Sequence, residues 1–536
     1  MFREVVFLLV LVGAAVNSEP LHEDIGKAIG SPGTKTAWRK LLQDMDGQAG
    51  GAESRPWNDL STSEKRLLDA ARDGDVKIVK RKIKEGVDVD TRSPTGSTPL
   101  INAAENGHTG TVRFLVEKGA DLQAYKGDGL NAMGVAAFYG HTKVLQVLLE
   151  QGADIEEGRR DGATVLFLAS AQGHSGAVRL LLDEGADIEG RSTEDSTAIL
   201  IAAQHGHSDV VQLLIERGAD PEAVSKNDWS AIGLAAFFGK TDVLRILLDQ
   251  GVDIEQRSIG GATALFLAVD SGHLDVVKFL LDRGADVEAR FTKKGSTAIL
   301  VAAQRGHSDI VQLLLDRGAN PQALSKNGWN AITLAAFHGR TETVQVLLNH
   351  GVDIEAKNVE STNEGGTALL WAARQGDLDT VKVLLDRGAD IEAQLSESGV
   401  TPVSVAAQNG KLDVVVELIA RGADIDAKSR LGFTPLHSAA KRERGSLVIF
   451  ALIDAGANID AQDDQGYTPL HYAAWNGERS NVEALLLRGA DKSIIDFSGD
   501  GTARDIVCEC LNSEKAAFCN SEFCNDSQDE IRALLD

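Results

Sequence analysis

Two groups of residues in this chain have the types and spacing to do chemistry. Histidine follows glycine at His141, His174, His207, His273 and His307, each one or two blocks of about 33 residues from the next. Imidazole can ligate a metal or act as a general base, but side chains a whole block apart cannot share one ion. The spacing therefore argues against a shared metal site. The other group is Cys508, Cys510, Cys519 and Cys524, which hold every thiol in the chain. An even, crowded set of cysteines in an oxidising compartment points to disulfides. Free thiols and zinc are the alternatives, and the Cys-x-Cys…Cys-x4-Cys spacing matches no defensible zinc pattern. Asn525-Asp-Ser527 beside them is a glycosylation sequon. No glycine-rich phosphate loop, nucleophile elbow or His-Glu-x-x-His is found. No catalytic residue, cofactor or metal is therefore expected, and the chain does not read as an enzyme.

Charge and the N-terminal residues narrow the setting. The 536 residues carry a formal net charge of −25, which excludes a nucleic-acid binder, since that role needs a basic stripe. Anionic membrane surfaces are disfavoured for the same reason, and a basic or neutral protein surface is the easier partner. Much of the acidity sits in recurring Gly-Ala-Asp-Ile-Glu turns, where solubility is its simplest purpose. An apolar run over residues 5–16 follows Arg3 and ends in small residues. This reads as a signal peptide over 1–18, and hence a secretory or extracellular protein. An uncleaved membrane anchor is one alternative, and a cytoplasmic protein with a misread start is another. Residues 19–60, rich in Gly, Ser and acids, read as a linker or pro-segment.

The elements that must position any site come from a block of about 33 residues that returns roughly a dozen times. Thr434-Pro-Leu-His-Ser-Ala-Ala440 and Thr468-Pro-Leu-His-Tyr-Ala-Ala474 are its fullest copies, and Gly-Ala-Asp turns recur beside them. These landmarks resemble the ankyrin repeat over residues 61 to 503. The resemblance implies an all-α solenoid of stacked helix-turn-helix pairs with β-hairpin fingers. A capping copy is expected over 61–95, twelve repeats over 96–498, and a half-repeat with the cysteine tail over 499–536. Val210-Val211 and Leu213-Leu214 supply the second helix's apolar stripe, Gly218 its left-handed C-terminal cap, and Ser208 its N-terminal cap. In such repeats the Gly-His element marks the turn between helices.

A longer period overlies the first. Residues 195–227 and 295–327 agree at 24 of 33 positions, so the chain grew by triplets. One class of copies gathers aromatics where the resemblance implies a binding face. These are Leu130, Phe138 and Tyr139; Trp229, Phe237 and Phe238; Trp329, Phe337 and His338; then Tyr467 and Trp475. At about 10 Å per stacked repeat, clusters three repeats apart would be separated by roughly 30 Å. The implied function is a protein–protein interaction scaffold working through fingertips and the concave helical face. A structural spacer or self-associating repeat protein, with or without an N-terminal anchor, is the alternative. Phe237 and Phe337 could equally fold down over neighbouring alanines to complete the core.

Overall fold

A seven-residue helix has no stability of its own in water, so the helices here stand only by packing. The computed structural model describes residues 56–160, 162–192, 195–291, 295–358, 365–497, 501–505 and 527–536. Within them lie twenty-seven α-helices and no strands. Twenty-six form consecutive antiparallel pairs, from Thr62–Asp73 with Val76–Lys84 to Pro469–Trp475 with Arg479–Leu487. The chain divides between Ile259 and Gly260 into two units, each a stack of such pairs.

Each pair follows the same logic. The first helix starts at a capping residue, as where Asn131 accepts from Gly134 N–H at 2.8 Å and Thr164 from Phe167 N–H at 3.1 Å. It carries an Ala-Ala pair, such as Ala136-Ala137 or Ala235-Ala236, fully removed from solvent. Small side chains let first helices of successive pairs lie in closer contact than the second helices do. Within each unit the first-helix row is therefore the inner face. Val210, Val211, Leu213 and Leu214 are buried on the second helix, and Gly218 takes a left-handed φ of 96° after it.

Three expectations change. Ser208 does not cap the second helix. It is the first helical residue, and the cap position belongs to His207, whose side chain makes no capping bond. True side-chain caps of second helices are carboxylates, Asp75 and Asp377, which carry two acceptor oxygens on a short stem. The fingers are turns with single bridges, such as Val224 to Ser230 and Phe291 to Ser296, rather than two-stranded hairpins. Finally, a last helix, Ser527–Leu535, packs on Arg479–Leu487. Ile531 is fully buried there, with Arg479–Glu530 and Arg504–Asp536 ion pairs at its rim. No repeat landmark announces this helix.

Candidate interaction surface

The histidines prove to be inter-repeat struts. Nε2 of His108, His141, His174 and His207 faces the carbonyl of Arg72, Glu105, Phe138 and Ala171 at 2.8, 2.9, 3.0 and 3.0 Å. Each carbonyl belongs to the end of the preceding first helix. A ring nitrogen facing a carbonyl must carry the proton. The glycine before each turn makes room for the next ring: a Cβ at Gly173 would fall 2.4 Å from His207 Nδ1. Gly and His are thus coupled across two repeats. Where histidine is replaced, Arg340 and Arg442 donate to Gln304 and Gln408 carbonyls instead, both at 3.2 Å. His307 differs, with Nε2 buried and unpartnered.

The finger acids are also bonded. Glu156, Glu189, Glu355 and Glu392 accept the backbone N–H of Asp187, Asp220, Asp390 and Asp424 at 2.8, 2.8, 2.8 and 2.7 Å. Burial raises the Glu392 and Asp90 carboxyls above their ordinary range. Solubility is therefore not their sole purpose. On the second-helix side, Arg217, Arg317, Arg421 and Arg488 each reach back to Asp183, Asp282, Asp386 and Asp454 within 3 Å.

In each unit aromatic residues of the first helices and finger turns touch one another. Trp229 meets Phe237 edge-on at 5.5 Å, and Phe237 meets Phe238 at 5.1 Å. Trp329 meets Phe337 at 5.3 Å, and Trp371 joins them at 4.9 Å from Trp329. All five of Trp229, Phe237, Phe238, Trp329 and Phe337 are half-buried, while His338 is exposed. The two phenylalanines therefore divide their surface between the stack and solvent. Tyr139 is 43% exposed, packs edge-on against half-buried Phe138 and donates to Glu105. Leu130 is a correction: it is buried at 9% exposure, its backbone bridged to Arg159. Its aliphatic chain turns toward Gly134, where a Cβ would lie 3.0 Å from it, so it floors the face.

A second aromatic cluster in the 260–536 unit is larger than its two expected members. Half-buried Tyr467 and 37% exposed Trp475 are joined by Tyr472, which stacks on Trp475 at 6.2 Å, and by Phe433 at 5.1 Å from Tyr472. Tyr472 donates to buried Asp463 at 2.7 Å, and burial with this carboxylate pushes its pKa upward. Lys441 lies over both the Phe433 and Tyr472 rings, at 5.0 and 5.1 Å. Phe433 follows a finger glycine just as Tyr467 does, so the same reading finds it. Trp371 and Tyr472 stand inside first helices at positions where sister copies hold Leu267 or Val405, and no spacing rule selects them.

Repeated helix pairs, inward alanines and finger turns place the chain in one class. It belongs to the ankyrin-repeat family. The family model for ankyrin repeats matches residues 67–159, 155–225, 218–291, 299–395, 357–429 and 403–496. A comparison with curated proteins matches no relative. Ankyrin repeats generally mediate protein–protein contacts and are typically non-enzymatic. No helix among the described residues is long and apolar enough to cross a membrane, and no acidic, His or Cys cluster there is arranged for a metal. Residues 1–55, including the stretch 1–18 read as a signal peptide, and Cys508, Cys510, Cys519, Cys524 and Asn525 lie outside the described residues.

Proposed function

We propose that this chain is a non-enzymatic scaffold that holds a partner protein against its inner helix row and fingertips. The observation that carries this reading is the pair of aromatic clusters in the 260–536 unit, around Trp329 and Trp475. Half-exposed tryptophan and tyrosine on a rigid scaffold are the groups that most often dominate binding energy. In the 1–259 unit, Phe138, Tyr139, Trp229, Phe237 and Phe238 offer the same kind of anchor. The test is partner capture by the full chain and by the Trp329→Ala/Trp475→Ala double variant. Circular dichroism establishes that the helices survive. Loss of one buried tryptophan anchor costs at least ~2 kcal/mol, so about thirtyfold or more in affinity is expected to disappear. An unchanged partner at unchanged affinity would sink the aromatic-face reading and leave a spacer role.

We propose further that the scaffold works outside the cytosol. The motivating features are the apolar run over 5–16 and four cysteines beside a sequon. Intact mass from a eukaryotic host, with and without thiol alkylation, decides it. The expected result is loss of about 18 residues, as signal-peptide removal predicts, with four thiols that do not react. An intact N-terminus with four alkylated cysteines returns the protein to the cytosolic side.

A further inference from the structure

We propose that the inner face of the 260–536 unit, from Trp371 to Tyr472, selects an extended acidic peptide segment carrying an apolar side chain between two carboxylates. The proposal rests on the interaction reading above and names the class of partner.

The first observation is a segregation of charge. Although the chain is strongly acidic, the exposed last turns of the first helices from Ala298–Arg305 onward carry no carboxylate. They present Gln304 and Arg305, Phe337 and His338, Arg374 and Gln375, Gln408 and Asn409, Lys441, then Trp475 and Asn476. Asp270, at this position in the preceding helix, is already held by Arg305 at 2.9 Å. Acids lie instead in the finger turns and on the second helices, where backbone amides hold Glu355 and Glu392 and arginines hold Asp282, Asp386 and Asp454.

The second observation is that two cations on this face are unspent. Arg374 and Lys441 are exposed and make no ion pair or side-chain hydrogen bond among the described residues. Each is held over an aromatic ring, Arg374 over Trp371 at 5.4 Å and Lys441 over Phe433 and Tyr472. A ring beneath a cation fixes its place without neutralising its charge. It is then pre-ordered for a carboxylate, at less entropic cost than a free side chain.

Beside Arg374, between its repeat and the next, lies a groove of about 230 Å³ with an apolar floor of Leu370, Leu395, Val400 and Val405. Trp371 and Arg374 stand on one side of it, and Gln408 and Asn409 on the other. The Ser398 hydroxyl lines it, buried and without a partner. Such a floor takes an aliphatic or aromatic side chain. The amides of Gln375, Gln408 and Asn409 suit a ligand with exposed backbone N–H and C=O groups, which a helix would hide. The ligand is therefore an extended segment.

Spacing fixes its register. Arg374 and Lys441 belong to repeats two steps apart, about 20 Å at 8–10 Å per step. Extended chain rises about 3.3 Å per residue, so the two carboxylates stand roughly six residues apart, with the apolar residue nearer the one that meets Arg374.

Panning short random peptides displayed on phage against the full chain tests this. The recovered sequences are expected to be enriched in Asp or Glu about six residues apart, with an apolar residue between them and nearer one of the two. An Arg374→Gln/Lys441→Gln double variant should lose at least tenfold of that recovery, the scale of one charge-assisted hydrogen bond. Both residues are exposed, and an unchanged melting temperature controls for folding. A Lys143→Gln variant, altered at an exposed second-helix position of the other unit, should recover the same peptides as wild type. Neutral or basic sequences, no recovered sequence, or equal recovery of acidic peptides by the double variant would overturn the proposal. If it fails while partner capture still depends on Trp329 and Trp475, the scaffold reading stands and only the acidic class is wrong.

Discussion

At the scale of single residues, the departures from the full repeat motif have a readable cost. In the complete copies Thr434 and His437 form a closed box. Thr434 N–H donates to His437 Nδ1 at 3.2 Å, and His437 Nε2 faces the Tyr467 carbonyl at 3.0 Å. The nearer nitrogen is an acceptor, so the ring is neutral with its proton on Nε2. Copies that read Thr-Ala-Ile-Leu place Leu200 or Leu300 at the histidine position, and Thr197 and Thr297 are left with buried, unpartnered hydroxyls. An orphaned buried hydroxyl costs about 1–3 kcal/mol. The acceptor a restored histidine needs is present: the Trp329 carbonyl follows its finger glycine as Tyr467 does, each bonded by its own finger amide, at 2.9 and 3.0 Å. Leu300→His is therefore expected to raise stability by about 1 kcal/mol at pH 7.5, read as a shifted urea midpoint. The gain has a pH sign. Burial lowers the pKa of His437 and His471, and takes His205 down to about 4. Such a group contributes fully above the unfolded value of about 6.5 and loses its contribution as pH falls through the folded value. The advantage of Leu300→His should shrink between pH 7 and pH 5. A variant less stable than wild type at pH 7.5 would refute the box argument.

Helices and turns were the most legible level, and the reasons are local. Ala-Ala pairs announce close helix approach, the Val-Val and Leu-Leu pattern announces a buried stripe, and glycine at Gly218 announces a left-handed turn. Each follows from residues within one block. What could not be read is what passes between blocks. The histidine struts span 36 residues, and the finger carboxylate bonds of Glu156 and Glu392 span 31 and 32. Neither leaves a trace in the periodicity of one helix. Ser208 misled for a related reason: serine before an apolar stripe is a good capping signal, but the preceding histidine is committed to the neighbouring repeat and takes the cap position with it. The acids misled similarly, since a Gly-Ala-Asp-x-Glu turn in isolation is only a soluble loop. Stacked, its glutamate accepts the next repeat's amide while losing water. The raised carboxyl pKa of Glu392 means its charge is a cost in the fold, and this contribution improves as pH falls, opposite in sign to the histidines. On the inner face the rule for positions flanking the finger glycine and the alanine pair found Trp229, Trp329, Tyr467 and Trp475. It placed Leu130 on the surface when the leucine turns in, and it had no means of finding Trp371 or Tyr472, which stand where other copies keep aliphatic core.

At the scale of the molecule, each pair buries its apolar surface against its sequence neighbours, so free energy is nearly a sum of local terms. In each unit the outermost pair, Thr62–Asp73 with Val76–Lys84 or Pro469–Trp475 with Arg479–Leu487, has one neighbouring pair instead of two, and the two are closed differently. The first helix, Thr62–Asp73, begins with a capping box between Ser61 and Glu64, and its partner Val76–Lys84 is rich in lysine. Charge keeps that end soluble. The last pair of the 260–536 unit is covered by Ser527–Leu535, an element outside the repeat pattern, which buries Ile531 fully and leaves Leu535 only 4% exposed. Ile531→Asp would place an unpaired carboxylate in that contact, and the helix should undock rather than bury it. The transfer energy of one isoleucine, about 2–3 kcal/mol, then disappears from the terminal pair. Because coupling runs between neighbours, the loss should be confined in sequence. Hydrogen exchange of the Ile531→Asp chain is expected to quicken across Pro469–Trp475 and Arg479–Leu487 while helices 62–249 keep their wild-type protection. Uniform loss of protection through all the helix pairs would mean that the array melts as one cooperative body, and that its stability is not a sum of neighbouring contacts.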